Sequence, residues 1–287
     1  MKVSYYPGCS LEGTARDYAD SIDALCELLG IELEEVPDWN CCGATAAHSI
    51  NHQASVELAG RNLRQAEALG SPDMLVPCPL CFNRLKTAAK TMQSESRGHY
   101  QVKLGASVPR IWDLANFMAS DEVLPTIAEK VRQPLKDLKV VCYYGCMASR
   151  PPKMTDAADC ENPQSIDRIM KALGATVLAW PYKTDCCGAS LALSRPDMVY
   201  QLVGKLYDMA IRVGAQAVVV SCQMCHANLD LYQDKIETTL GRTFGLPILY
   251  FSELVGLACR LPSVSANLQR HFVDPLPLLR NLGLLRQ

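Results

Sequence analysis

The sequence predicts an α/β fold of two pseudo-symmetric halves, each a parallel sheet flanked by helices with cysteine loops at the carboxyl ends of its strands. Three observations carry this. Ten of the fourteen cysteines form one pattern written twice, C-x31-C-C-x35-C-x2-C at Cys9, Cys41, Cys42, Cys78 and Cys81 and C-x39-C-C-x34-C-x2-C at Cys146, Cys186, Cys187, Cys222 and Cys225. Short apolar runs alternate with longer helical segments along both copies, the signature of βαβ units. The helical segments stop at glycines in matching places.

In chain order, KVSYYPGCS (2–10) and KVVCYYGCM (139–147) read as a strand running into a Gly-Cys turn. Helices are expected at Tyr18–Leu29, before Gly30, and at Ser165–Leu173, before Gly174. Strands follow at Ile31–Val36 and Thr176–Trp180, and then the Cys-Cys-Gly triplets. Helices come next at Ile50–Leu69 and Asp197–Val213, ending at Gly70 and Gly214. A strand (Met74–Pro77; Ala217–Ser221) delivers each Cys-x-x-Cys and a helix leaves it, CPLCFNRL (78–85) mirroring CQMCHANL (222–229). A last strand and helix, Arg110–Met118 and Ile248–Ala258, close each half. The halves are placed at 1–132 and 139–287, joined by the polar stretch Gln133–Lys139, with ASRPPKMTDAADCENP (148–163) as the main asymmetry. In Rossmann-like sheets the loops at the strand carboxyl ends share one edge, so the three cysteine segments of a half can converge.

Composition narrows the chemistry. A net charge of −2 without a long basic run gives no reason to expect nucleic acid or anionic lipid as a partner. No apolar run approaches the roughly 20 residues of a membrane span. The N-terminus MKVSYYPGCS has no signal-peptide pattern, so a cytoplasmic location is expected. Thiols stay reduced there and serve metal binding or redox chemistry rather than disulfides.

Thiolate suits iron–sulfur clusters, zinc or copper(I). Adjacent cysteines fit poorly at two vertices around one small ion, and five thiolates exceed the four that a zinc site or a cubane cluster accepts. Iron–sulfur is therefore favoured, as an unusual cluster or with one thiolate left over. Cys222-Gln-Met-Cys225-His226 also fits a c-type haem attachment pattern, but its counterpart ends in Phe82, and His226 is read as the start of a helix.

The paired motif, with WNCCGATAAHS (39–49), YYPGCSLEGTA (5–15) and YYGCMASRP (143–151), resembles the B-type subunit of heterodisulfide reductase, a cysteine-rich CCG-domain iron–sulfur family. The resemblance covers almost the whole chain. It implies two noncubane [4Fe-4S] clusters, one held by Cys9, Cys41, Cys42, Cys78 and Cys81 and one by Cys146, Cys186, Cys187, Cys222 and Cys225. It further implies an oxidoreductase acting on sulfur groups, cleaving a small-molecule disulfide to two thiols, or the reverse, between two facing clusters. Electrons would come from a ferredoxin-like C subunit docked to a flavin-containing A subunit. The chain shows no ferredoxin signature, GxGxxG or P-loop, so it depends on such partners. The alternative is an electron-transfer subunit of a lactate, glycolate or succinate oxidoreductase complex.

Among the remaining residues, His48 is a candidate proton donor, with a helix-start histidine as the plainer reading. Lys183 and Arg150 are read as solvated, with an anionic substrate tail as their alternative use. Trp39 and Trp180 are placed as shields over the clusters or as core. Gly43 and Gly188 are read as supplying backbone freedom beside the clusters. Cys26, Cys142 and Cys259 are read as structural, and Cys160 as part of the inserted loop.

Overall fold

The structure is a computed structural model, and it describes residues 1–44, 47–94 and 100–285. Among the described residues, eight strands form two four-stranded sheets in which every pairing is parallel. The first sheet contains β1 (Lys2–Tyr5), β2 (Glu32–Glu35), β3 (Asp73–Val76) and β4 (Arg110–Asp113), in the order β2-β1-β3-β4. The second contains β5 (Lys139–Tyr143), β6 (Thr176–Val177), β7 (Ala217–Val220) and β8 (Ile248–Tyr250), in the order β6-β5-β7-β8. The same topology is thus written twice, as the duplicated cysteine pattern predicts.

The central strands are largely apolar, as a parallel sheet covered by helices requires, whereas the edge strand β2 (ELEE) has no buried residue. β7 (AVVV) is buried at all four positions, and β5 is buried from Val140 to Tyr143. In the first half, the helices His52–Ala68 and Pro79–Ser94 bury Leu63, Phe82 and Leu85 with Met74 and Val76 of the sheet and with Tyr6 just beyond β1. Cys42, Cys78 and Cys81 belong to that same apolar cluster, so these thiols sit at the end of a packed core.

The chain forms two units. One comprises Met1–Arg16, Cys26–Phe117 and Met147–Cys160; the other comprises Asp17–Leu25, Met118–Cys146 and Glu161–Gln287, of which 286–287 lie outside the described residues. In the first unit the inserted segment is held to the helix Pro79–Ser94. Asn83 Nδ2 donates to the carbonyls of Met147 (3.0 Å) and Arg150 (2.9 Å), and Lys86 Nζ to that of Thr155 (2.8 Å). In the second unit the residues of the helix Arg16–Leu29 pack by Tyr18, whose ring stacks on Tyr250 at 4.1 Å while its hydroxyl donates to the Ser221 carbonyl.

The expected elements are present with one marked difference. The strand expected at Thr176–Trp180 is only Thr176–Val177, with one more backbone bond from Leu178 N to Val140 O (2.8 Å). The chain then turns to bury Trp180, and Pro181 has no N–H to continue a ladder. The helix Gln233–Leu240 and the short helices Leu124–Lys130, Pro262–Asn267 and Leu276–Asn281 lie outside the expected pattern.

The order β2-β1-β3-β4 makes a topological switch between β1 and β3, since the chain leaves β1 to one side and returns on the other. In such folds the loops after the two strands part at the switch, at the sheet's carboxyl edge. Cys9 follows β1, the Cys41–Cys42 pair follows β2, and Cys78 and Cys81 follow β3. Cys146, the Cys186–Cys187 pair, and Cys222 with Cys225 follow β5, β6 and β7 in the same way.

Candidate metal centres

Each half brings its five cysteines together, and within each set burial is uneven. In the first, Cys42, Cys78 and Cys81 are buried, Cys41 is half-buried and Cys9 exposed. In the second, Cys187, Cys222 and Cys225 are buried, Cys146 is half-buried and Cys186 exposed. Three inner thiols and two outer ones therefore face each site. No disulfide joins any of the fourteen cysteines.

Direct contacts establish the convergence. Cys187 Sγ lies 3.6 Å from Cys225 Sγ, and the Cys81 N–H points to Cys78 Sγ at 3.5 Å. Shared protons split the thiols in pairs. The bond to Cys81 holds the Cys42 thiol below its ordinary range and pushes Cys81 well above it. Cys187 and Cys225 are split in the same sense. Cys186 is lowered to about 6, first by its bond with Cys146 and then, against the opposing effect of burial, by the N–H groups of Gly188 and Ala189. Cys146 is pushed up by the same bond. Cys9 is raised by desolvation and by the nearby Cys41, Cys42 and Cys78. Thiols this close cannot all ionise unless a cation joins them.

Close approach of the backbone permits the cluster of thiols. Gly8 and Gly145, each preceding the first cysteine of its set, have φ of +75° and +64°. A Cβ would stand 3.0 Å from Cys81 Sγ at Gly8 and 2.8 Å from Cys225 Sγ at Gly145. Any side chain would therefore push the two cysteine loops apart. Gly43 and Gly188, after the vicinal pairs, take the same left-handed conformation at φ +79° and +74°.

A tyrosine clamp recurs in both halves. Tyr6 hydroxyl donates to the Asn40 carbonyl and Tyr143 hydroxyl to the Asp185 carbonyl, each at 2.7 Å. Both tyrosines stand three residues before the first cysteine, and both carbonyls immediately precede the vicinal pair. The clamp thus ties the loop after the first strand to the loop after the second. Spacing alone could have revealed it, since Tyr-x-x-Cys occurs at 6–9 and 143–146.

The surroundings then diverge. In the first half Asn40 N donates to Asn62 Oδ1 and Asn62 Nδ2 to the Asn40 carbonyl, both at 2.9 Å, pinning the vicinal loop to the helix His52–Ala68. In the second, Asn228 Nδ2 donates to the Cys187 carbonyl at 3.0 Å and lies 3.8 Å from its sulfur. Trp39 is half-buried against Tyr6, and Trp180 is buried with its Nε1 donating to the Cys142 carbonyl (2.9 Å). Both tryptophans pack beside the tyrosine clamps.

Lys183 corrects its expected solvation. It is 6% exposed, with Nζ donating to Asp167 Oδ1 at 2.7 Å and to the Pro163 carbonyl at 3.1 Å. Tyr144 hydroxyl donates to the other oxygen of Asp167 at 2.7 Å, and Tyr144 N donates to the Lys183 carbonyl. The lysine fastens the segment before Cys186 to the segment before Cys146, because the aspartate on the helix Ser165–Ala172 supplies a buried partner. Arg150 is half-buried rather than solvated. Cys26, Cys142 and Cys259 are buried and Cys160 is half-buried.

His48 is exposed on the short helix Ala47–Ile50. Thr45 and Ala46 of the CCGATAAHS stretch lie outside the described residues. His226 is buried inside the helix Gln223–Asp230, stacked on Tyr250 at 4.3 Å, with Nε2 3.1 Å from His271 Nδ1. His271 Nε2 in turn lies 2.8 Å from Glu253 Oε1. This buried network was not anticipated; its members are far apart in sequence and carry no common motif.

A family model described as the CCG cysteine-rich domain matches residues 3–86 and again 140–230. The chain is 30% identical to the 8-methylmenaquinol:fumarate reductase membrane anchor subunit of Wolinella succinogenes, over 96% of this chain and 99% of that protein. It is 23% identical to the B-type subunit of the ferredoxin:CoB-CoM heterodisulfide reductase of Methanosarcina mazei, over 98% and 97%. It is also 23% identical to a protein of Archaeoglobus profundus described as like that same B-type subunit, over 90% of each. Among solved structures, a hypothetical protein from Helicobacter pylori matches with a TM-score of 0.73 at 12% identity, over 95% of this chain and 52% of that one. It shares the fold, and this chain spans about half its length. No helix among the described residues is long and apolar enough to cross a membrane.

Proposed function

The chain belongs to the CCG family of cysteine-rich domain proteins, and on that premise we propose that it is the iron–sulfur subunit of a heterodisulfide reductase-type complex. In this reading Cys9, Cys41, Cys42, Cys78 and Cys81 hold one noncubane [4Fe-4S] cluster and Cys146, Cys186, Cys187, Cys222 and Cys225 hold the other. The sequence units 1–132 and 139–287 supply one set each. The reaction is reduction of a disulfide to two thiols, or its reverse.

The donor set fits such a group. Five soft ligands converge in each half, and their proximity raises some thiols while lowering others, so a shared positive centre is needed to ionise them together. Bound clusters supply single-electron transfer, and two of them match the two electrons of a disulfide. The chain's own residues provide the frame. The three buried thiols of each set anchor the group in the core end, and the outer pair leaves one side at the protein surface. The tyrosine clamps and Lys183 hold the loops in register. His48, exposed six residues beyond Cys42, is the proposed proton donor. Electrons enter from a ferredoxin-like C subunit linked to a flavin-containing A subunit. The relatives of the B type over nearly full length support this assignment.

The observation that carries the reading is the doubled convergence of five thiols on equivalent loops of two like sheets. Its test is anaerobic purification followed by iron and acid-labile sulfide counts, with about eight irons per chain expected. Cys42→Ser and Cys187→Ser should each remove about half. The loaded protein, given a low-potential donor and candidate disulfides, should release thiols. A colourless, zinc-loaded chain refutes the proposal.

A second reading has its own support. The relative at 30% identity is named for fumarate reduction with a quinol, which favours an electron-transfer subunit of a succinate or fumarate oxidoreductase complex. Cluster reduction by a menaquinol analogue without release of thiol from any disulfide would select it.

A further inference from the structure

The two cysteine sets match ligand for ligand, but the residues between the ligands do not. Pro77 and Pro79 flank Cys78, whereas Ser221 and Gln223 flank Cys222 in the matching positions. Proline side chains offer no hydrogen-bonding group, while serine and glutamine offer three polar atoms. Ser221 is 3% exposed and Gln223 4%. Among the described residues Ser221 Oγ, Gln223 Nε2 and Gln223 Oε1 have no hydrogen-bond partner. Buried polar atoms in native proteins are nearly always satisfied, and exceptions call for an explanation. Here three occur within three consecutive residues on either side of one thiol ligand.

We propose that Ser221 and Gln223 donate hydrogen bonds to the sulfur atoms of the cluster held by the second cysteine set and raise its reduction potential, a device that the first set lacks. This rests on the iron–sulfur reading above. A hydroxyl and an amide N–H are donors of the right kind for thiolate or sulfide acceptors, and such bonds tune cluster potentials. They favour the reduced state because added electron density strengthens the acceptor. Gln223 donates through Nε2 and leaves its oxygen to accept from water.

The first set is tuned differently. Three residues after Cys81 stands Arg84, a fixed positive charge, and Asn228 occupies the matching place after Cys225. Arg84 Nε is also buried without a partner among the described residues. A fixed charge acts on one site and neutral donors on the other. The two centres are unequal in spite of identical ligands.

The test is a potentiometric titration of the anaerobically loaded chain followed by electron paramagnetic resonance. Cys41→Ser and Cys186→Ser assign the signals to their halves. Gln223→Leu should disfavour reduction of the second cluster at least tenfold, equivalent to about 59 mV for one electron. Ser221→Ala should act in the same direction, and the first cluster should not move. Should Gln223→Leu not load with iron, Gln223→Met and Ser221→Ala carry the same comparison. A fully loaded variant whose second cluster stays within twofold of the unmodified chain overturns the inference alone, as does an equal movement of both clusters. A chain without iron overturns the reading it rests on as well.

Discussion

Neutralising the buried pair His271–Glu253 tests the energetics of the second half without touching a cysteine. Both side chains are wholly buried, and His271 Nε2 lies 2.8 Å from Glu253 Oε1. Burial alone would lower the imidazole, but the Glu253 charge and hydrogen bond, with Asp230 and Asp17 nearby, raise it from 6.5 to about 9. Burial raises Glu253 as well. A group raised in the folded state adds stability that is complete below its unfolded pKa and is lost as pH climbs through its folded one. His271 therefore stabilises the fold below about pH 6.5 and ceases to do so near pH 9. That interval, at about 1.4 kcal/mol per pH unit, is worth about 3 kcal/mol. Glu253 acts in the same direction. The double variant His271→Gln/Glu253→Gln removes both titrations while keeping a side chain that can accept from the Tyr250 N–H. Urea unfolding at about pH 6, 7.5 and 9 should show the unmodified chain losing about 3 kcal/mol more than the variant. The other titrating groups are common to both proteins and cancel in the difference. Parallel pH profiles would refute the assignment of a protonated, carboxylate-paired His271.

Three further outcomes follow from the site geometry. Tyr6→Phe and Tyr143→Phe should each cost about 1 kcal/mol in urea unfolding, the net worth of one hydrogen bond, and each should loosen iron retention in its own half. Gly145→Ala should cut the iron count of the second half, because the new methyl would lie 2.8 Å from Cys225 Sγ on a left-handed backbone. Lys183→Met strands Asp167 and should cost about 3–5 kcal/mol, with Lys183→Met/Asp167→Asn recovering part of the loss by the same unfolding assay.

The parallel order of both sheets was legible because apolar runs of strand length alternate with helical segments, and the helices expected before Gly30, Gly70, Gly174 and Gly214 stop at glycines that prove left-handed. Where tertiary packing overrode local pattern, the reading lost detail. Thr176–Trp180 looks like a strand by composition, yet Trp180 leaves the ladder to bury its ring against Tyr143. Lys183 reads as a loop cation because nothing local announces Asp167, 16 residues earlier, as its partner. The same holds for His226, whose neighbours His271 and Glu253 come from segments that share no motif with it. Sequence periodicity reports a residue's own element; it is silent on which distant side chain will meet it.

The cysteine sets were legible for a different reason, rooted in topology. A parallel sheet puts every strand's carboxyl end on one edge, so cysteines placed after successive strands must meet there whatever the helices between them do. That is why spacings of 31 and 39 residues between the first and second cysteines of each set, differing through the inserted segment, still end in equivalent places. Convergence also imposes costs that the cysteines alone do not reveal. Thiols packed this closely need backbones without side chains, met by Gly8 and Gly145, and loops held against mutual repulsion, met by the two tyrosine clamps. These supports recur in both halves because they answer to the shared topology. Arg84, Asn228, Ser221 and Gln223 do not recur, because a polar neighbour can be exchanged without moving a loop. The fold therefore fixes where each cysteine set sits, and under the proposed function the residues free to differ between halves are those that set how readily its cluster takes an electron.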